Sequence, residues 1–468
     1  MDYCKLTVHI QPMAGTVDPL RLLNILTQQR GDIAVLHSGV RGNAVLAVEP
    51  IANVVMTANA GKLRVHGGGI AESGGAGEEF DSADQAWRRW QEKLSGISFS
   101  QPTPDMVGWL GWISYEAGVM AELPGLYDLE NAEIPLAHWQ LFERYFIFHA
   151  DAQQWYIVVL RVNQEMVEGI VAEMQAQIHS AQTVLVAADS AGQSTILRQA
   201  DAAAFKTAVR RCGDYIAAGD IYQANISAGW TLRVAETGPV IFSRLAEQNP
   251  AQFAAFMRYG EHELICASPE LFLKRRGQML ETRPIKGTRP RDIHNTLRDQ
   301  QRHDELLNSE KDQAELAMII DLLRNDLGRV CTNVRVAKIR EIEPLPALWH
   351  THGVVTGQLP PRACHHWGDM IMSMCPGGSI TGVPKIRAME IIHELEGENR
   401  GIYCGNIGWI SPSGDGMLNI AIRTIHVSHG IAHIRSGAGI TADSSPDEEY
   451  SEILAKAAAL LAALTPRQ

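Results

Sequence analysis

Residues 404–464 read CGNIGWISPSGDGMLNIAIRTIHVSHGIAHIRSGAGITADSSPDEEYSEILAKAAALLAAL. Apolar runs at 404–411, 417–427 and 431–436, separated by Gly-containing turns, are expected as strands joined by hairpins. A helix is expected to follow from Pro446 to Leu464. Ser445 fits its N-cap and Pro446 its first turn, and Ser445 with Glu448 has capping-box spacing. Tyr450, Ile453, Leu454 and Ala457 form the apolar face of this helix, and Glu449 and Glu452 share another.

Hairpins and helices mix in the same way upstream. Asp201 is placed to cap a helix whose Phe205, Val209, Cys212 and Ile216 recur at helical spacing before Gly219 stops it. Strands are expected at Ile221 to Leu232, 264–274 and 279–285, and helices at Ser309 to Asn325 and Lys385 to Leu395. The polar stretch Thr288 to Asp304 reads as a mobile loop beside a site. Nearer the N-terminus, strands at Ile33 to His37, Val45 to Val48 and Leu63 to Val65 surround an early helix near Pro19 to Gln29. The glycine-rich Gly67 to Gly77 reads as a surface loop. A helix at Asp84 to Leu94 and strands in 107–115, 140–148 and Tyr156 to Val162 follow. Strict βαβ alternation is absent, so the fold class expected is α+β built on antiparallel sheet. The small, polar stretch Ala187 to Ser194 divides an N-terminal region, 1–190, from a second region, 191–468.

The chain has 468 residues, 46% hydrophobic and 20% charged, the balance of a globular protein. Its 41 Lys and Arg against 53 Asp and Glu give a net charge of −12, which disfavours nucleic acid and anionic membrane surfaces as partners. Seven scattered cysteines without a C-x-x-C pair point to a reducing cytoplasm. The sequence shows neither a signal peptide nor a run of about 18 apolar residues.

Three constellations could carry chemistry. Asp312 and Glu315 lie three apart on one helix, and Glu449 and Glu452 on another. Acids favour a helix N-terminus, and Glu452 is spaced to pair with Lys456. Converging carboxylates would instead suit Mg²⁺, a hard cation that takes oxygen donors. Lys286, between Ile285 and Gly287, is either a surface lysine in a turn or a partly desolvated nucleophile. Glu270, after Pro269, is either a turn cap or a general acid. The glycine-rich turn Pro376 to Lys385, which contains Ser379, and Ser436-Gly437-Ala438-Gly439 offer backbone amides for an anion, with Arg423 on a nearby strand. His426, His429 and His433 span a hairpin turn without a regular face, and His350 precedes a strand.

RPIKGTRPR (283–291), AELAMIIDLLRNDLGRV (314–330), CPGGSITGVPKIRAMEII (375–392) and SGAGITADSSPDEEY (436–450) occur in an order that resembles the chorismate-utilising enzymes over about residues 200–460. The resemblance implies a core of two antiparallel sheets sandwiched by helices. Gln223, in YQANIS, stands where water-adding members carry a lysine, and Lys286 stands where anthranilate-forming members carry alanine. Both choices resemble the members that form 4-amino-4-deoxychorismate for folate synthesis, an amino-group transfer. The resemblance implies that Glu270 protonates the departing hydroxyl while Lys286 forms a covalent adduct. Glu315 and Glu452 match the direct Mg²⁺ ligands, with Asp312 and Glu449 as outer partners. Tyr403, Arg423 and the amides of Gly437, Ala438 and Gly439 match the enolpyruvyl-carboxylate site, and His350 and Ser379 match positions lining the ring. Ammonia would come from a separate glutaminase subunit.

Leu36-His37-Ser38-Gly39 resembles the family motif whose serine contacts a buried tryptophan. Gln252 and Phe253, in Asn249-Pro250-Ala251-Gln252-Phe253, are the other residues expected there, with Gln252 where proline is usual. Two competing readings are an anthranilate-forming enzyme, which Lys286 opposes, and a non-catalytic subunit that binds chorismate or an amino acid. The set Glu270, Lys286, Glu315, His350, Arg423 and Glu452 opposes the latter.

Overall fold

The computed structural model describes all residues except 1–3, 29–30, 40–41, 60–61, 69–76, 130–131, 164, 184–193, 346–347, 362–365 and 466–468. Most of the expected glycine-rich loop and of the Ala187 to Ser194 boundary therefore lies outside the described residues.

Hydrogen-bonded strands form two antiparallel ladders. The first runs Cys4–Ala14, Gln154–Arg161, Ala137–His149, Ala44–Asn59, Ile33–His37, Phe253–Tyr259, His262–Ser268, Thr424–Ser428, Ile431–Ile440 and Gln223–Arg233. The second runs Lys62–Gly68, Ala44–Asn59, Ala137–His149, Trp109–Ile113, Asn406–Ile410, Gly416–Asn419, Leu271–Arg276, Met279–Arg283, Leu348–Gln358 and Thr332–Pro344. Ala44–Asn59 and Ala137–His149 are long enough to serve both. They change ladder where Glu49 takes φ 62 and the register slips between Pro50 and Ala52, as expected of a bulge that bends a strand.

Strands of the first ladder bury both faces. Ala34, Leu36, Ala255, Met257, Leu264 and Cys266 enter a core shared with the second ladder. Their neighbours Ile33, Val35, Ala254, Phe256, Ile265 and Ala267 enter another core, closed by Phe205, Val209, Ile391, Ile453 and Leu460 from helices. This explains why these strands read as continuous apolar runs. The α+β class and antiparallel sheets expected from the sequence hold. Among the described residues no helix is long and apolar enough to cross a membrane.

Several local expectations hold. The last helix is Pro446–Leu464. Asp201 Oδ1 accepts the amides of Ala203 and Ala204 at 2.8 and 3.0 Å, and Gly219 ends that helix at φ 83. Three are corrected. Ser445 makes no capping bond; Ser444 Oγ instead donates to Glu449 Oε1. The expected strand 417–427 is two strands, parted at residues 420–423, where Arg423 has φ 51. The expected loop 288–304 holds the end of strand Ile285–Pro290 and most of helix Thr296–Leu307. Polar contacts pin this helix: Arg291 pairs with Asp299 at 2.8 Å and lies 4.2 Å over the Trp349 ring, whose Nε1 donates to Asp299. Hydrophobic periodicity does not register such contacts.

Candidate active site

Two chain links pass between the ladders. Pro269 and Glu270 join His262–Ser268 to Leu271–Arg276, and residues 420–423 join Gly416–Asn419 to Thr424–Ser428. The links bond to each other through Ile420 N, which donates to Glu270 O at 3.1 Å, and Ala267 N, on the strand end before Pro269, donates to Arg423 O at 3.0 Å. Ser268 Oγ adds a bond to Ile420 O at 2.6 Å. Glu270 and Arg423 are thereby fixed where the sheets part.

Glu270 is buried, and Ser379, on the turn Gly378–Ile380, donates to its Oε1 at 2.6 Å. Burial pushes the Glu270 carboxyl up to about 7, against the opposing pull of the Ser379 bond and the Lys286 charge. Lys286 Nζ lies 3.7 Å from Glu315 Oε2, and the Lys286 carbonyl accepts the Thr351 hydroxyl. A Cβ added to Gly439 would sit 3.5 Å from Lys286 Nζ and 2.5 Å from Gln223 Nε2. Glycine there lets both side chains reach the strand backbone. Gln223 is buried, and its Oε1 has no hydrogen-bond partner among the described residues. A buried acid poised near neutrality, an amine and an orphaned amide oxygen thus lie near one another.

The Arg423 side chain has no ion-pair or hydrogen-bond partner among the described residues, and burial alone lowers its pKa. Its charge reaches His350, whose own pKa burial lowers. A half-buried guanidinium without a counter-charge attracts an anion, and its planar donor fork suits a carboxylate. Tyr403 is buried beside Gly437, where a Cβ would stand 2.8 Å from the Tyr403 hydroxyl. Burial raises the Tyr403 pKa well above the phenol value, which keeps the hydroxyl a neutral donor. The Ala438 side chain faces the helix-covered core, so that residue can offer the site only backbone.

The two carboxylate pairs each have local partners. Arg289 donates to Asp312 Oδ2 at 3.1 Å, and the left-handed Gly287, whose Cβ would stand 2.7 Å from Asp312 Cγ, admits the helix to the lysine strand. Glu449 is buried, and its pKa is raised by burial and further by the charge of Glu452. Glu452 is half-exposed and pairs with Lys456 at 2.6 Å; Lys456 also donates to Gly437 O at 3.0 Å. All four groups are hard oxygen donors of the kind Mg²⁺ takes, but among the described residues no three of them bring oxygens within 4.8 Å of one another; Glu315, Asp312 and Glu452 pair instead with Lys286, Arg289 and Lys456.

Ser38, Gln252 and Phe253 line a separate cavity of about 220 Å³, together with Asp105, Arg276 and Trp409. His426 and His433 do share a face, contrary to the sequence reading: they are direct cross-strand partners with ring centroids 6.1 Å apart. Sequence reasoning missed three features. Lys456 links the last helix to the Gly437 strand. Glu343 and His352 cluster with His350. The third is a buried network: Arg400 binds Glu396 and the carbonyls of Ile380 and Asn225, and Arg435 also binds Glu396. The i, i+4 spacing of Glu396 and Arg400 is the local sequence signal of this network.

Residues 38–462 match the family described as chorismate binding enzyme. The chain is 34% identical over 389 residues to "Aminodeoxychorismate synthase component 1" of Bacillus subtilis (strain 168), covering 81% of this chain and 82% of that one. It is 36% identical over 361 residues to "Anthranilate synthase component I-like protein" of Synechocystis, covering 76% and 72%. The crystal structure of anthranilate synthase component I from Streptococcus pneumoniae superposes with a TM-score of 0.73 at 26% identity, covering 89% of this chain and 92% of that one. On its sequence, and with this fold, the chain belongs to the chorismate binding enzyme family.

Proposed function

We propose that the chain replaces the 4-hydroxyl of chorismate with ammonia, giving 4-amino-4-deoxychorismate, and that a glutaminase partner supplies the ammonia. The observation that supports this reading is the nearness of Lys286 to the buried Glu270, whose carboxyl feels its charge, and to Gly439, which Gln223 also approaches. A second lysine at 223 would suit water activation; a glutamine amide cannot serve as that base.

The Lys286 amine attacks C2 of the ring, the two ring double bonds shift, and the C4–O bond breaks. Glu270 gives its proton to the departing hydroxyl, which leaves as water. A covalent adduct divides one hard displacement into two easier ones. Ammonia then bonds to C4, the double bonds shift back, and the C2–N bond breaks to free Lys286. The proton shed by the new C4 ammonium restores Glu270, and the enolpyruvyl ether is retained. Arg423 and Tyr403 hold the enolpyruvyl carboxylate, while Ser379 orients the Glu270 carboxyl. Glu315 and Glu452, with Asp312 and Glu449, are the residues that would hold Mg²⁺ once brought together, and the ion would neutralise the ring carboxylate.

The test is product identification by mass spectrometry with chorismate, Mg²⁺ and ammonium. Aminodeoxychorismate is the expected product, and glutamine is expected to replace ammonium only when a glutaminase subunit is added. Anthranilate with pyruvate would move the chain to the other amidating branch, and isochorismate would refute amination. Charge-assisted hydrogen bonds contribute about 1.5–3 kcal/mol. Arg423→Gln is therefore expected to raise KM for chorismate about 10- to 100-fold by initial-rate kinetics, the conversion being tenfold for each 1.4 kcal/mol. An unchanged KM would remove Arg423 from the carboxylate site.

A further inference from the structure

We propose that Glu343, His350 and His352 form a second cation site, selective for a borderline transition metal of the Zn²⁺ class, with Glu341 orienting His352. Strands Thr332–Pro344 and Leu348–Gln358 pair so that Glu341 stands opposite His352 and Glu343 opposite His350. Alternate residues of a strand share a face, so this register brings the four side chains together. His350 Nε2 lies 3.4 Å from Glu343 Oε2, and His352 Nδ1 lies 3.8 Å from the same oxygen.

Zinc bonds of about 2.0–2.2 Å in tetrahedral geometry place neighbouring donors about 3.3–3.6 Å apart. The two Glu343–histidine distances fall within a few tenths of an ångström of that spacing, and the three ligand atoms all lie within 4.8 Å of one another.

A second observation fixes which nitrogen serves. His352 Nε2 lies 3.2 Å from Glu341 Oε2 and donates to it, which leaves Nδ1 as the bare nitrogen. That Nδ1 is buried without a hydrogen-bond partner among the described residues and faces Glu343. A carboxylate that holds one ring nitrogen so that the other meets a cation is the usual outer support of a metal-binding histidine. Two imidazoles suit zinc and not Mg²⁺, which sets this cluster apart from the all-carboxylate set on the helices. Three protein donors leave a fourth position open.

His350 is the shared element. By the family resemblance it matches a position lining the ring of chorismate, the substrate of the proposed function, so a cation that takes its Nε2 removes it from the substrate and inhibits turnover.

Full-length chain stripped with a chelator and dialysed against Zn²⁺ in excess Mg²⁺ is expected to retain Zn²⁺ that His352→Gln and Glu343→Gln lack, measured by elemental analysis. Co²⁺ in its place is expected to give visible bands of tetrahedral nitrogen and oxygen ligation, without thiolate charge transfer. Glu341→Gln is expected to weaken Zn²⁺ binding about 10- to 100-fold. Circular dichroism identifies any variant that fails to fold, and the remaining ones decide. Equal Zn²⁺ in native chain and folded variants, or its displacement by Mg²⁺, overturns the site. Zn²⁺ retained without loss of turnover overturns the inhibitory role. The binding measurements need no turnover, so they stand even if the proposed reaction fails.

Discussion

Lys286→Ala is expected to abolish aminodeoxychorismate formation, and Glu270→Gln to lower kcat about 10²- to 10⁴-fold, the usual contribution of a positioned general acid. The two losses have different signatures. Without Lys286 there is no adduct, so raising ammonium does not rescue the rate. Without the Glu270 proton the hydroxyl departs poorly, and the dependence on pH changes. The native kcat/KM is expected to fall as pH rises through about 7, where burial places the Glu270 carboxyl, because the protonated form is the acid. Glu270→Gln is expected to lose that limb. Stability follows the same group: its folded pKa lies above the unfolded value, so its contribution is complete below about 4.5 and is lost as pH rises through about 7. The difference is on the order of 3 kcal/mol at 1.36 kcal/mol per pKa unit. Glu270→Gln should therefore flatten the decline in stability between these two values, measured by denaturant midpoints. A Lys286→Ala chain within tenfold of the native rate would end the covalent reading.

Much of the frame was legible because its signals are local. The Asp201 cap, the Gly219 stop and the extent of Pro446–Leu464 each depend on residues within a few positions of one another; of the apolar face expected on that helix, Ile453 and Ala457 are buried but Leu454 is exposed. Site residues in unbroken strings, such as Lys286 in RPIKGTRPR, were legible through family resemblance. What escaped depends on register and on distant partners. Glu343 meets His350 only after the register slips three times between Thr332 and Glu341. Arg400 meets the Asn225 carbonyl across 175 residues of sequence. Helix Thr296–Leu307 carries no hydrophobic signature of a helix because it buries little beyond Leu306 and Asp299, its anchor to Arg291 and Trp349 being polar.

Glu396→Ala is expected to destabilise the fold by about 3–5 kcal/mol, the range for removing one partner of a buried ion pair. Arg400 is fully buried and donates to Glu396 at 2.8 and 3.0 Å, to Ile380 O at 3.0 Å and to Asn225 O at 2.6 Å. Glu396 also accepts the backbone and hydroxyl of Ser227, each at 2.8 Å, and Arg435 at 3.2 Å. Burial by itself would raise the Glu396 pKa, but Arg400 and Arg435 outweigh it and hold the carboxyl below its ordinary value. Its contribution is therefore present above the unfolded pKa and lost as pH falls through the lower folded one. Urea unfolding at neutral pH is the measurement, and a loss below about 1 kcal/mol would show that the network relaxes around the gap. The network also reaches the chemistry. Ile380 follows Ser379, which orients Glu270, and Asn225 lies two residues from Gln223 on the strand facing Gly439. Glu396→Gln keeps the shape and removes the charge, so enough of it should fold for kinetics. Its kcat is expected to fall while the pH limb near 7 remains, since Glu270 stays in place; loss of that limb would mean that the buried pair tunes the acid itself.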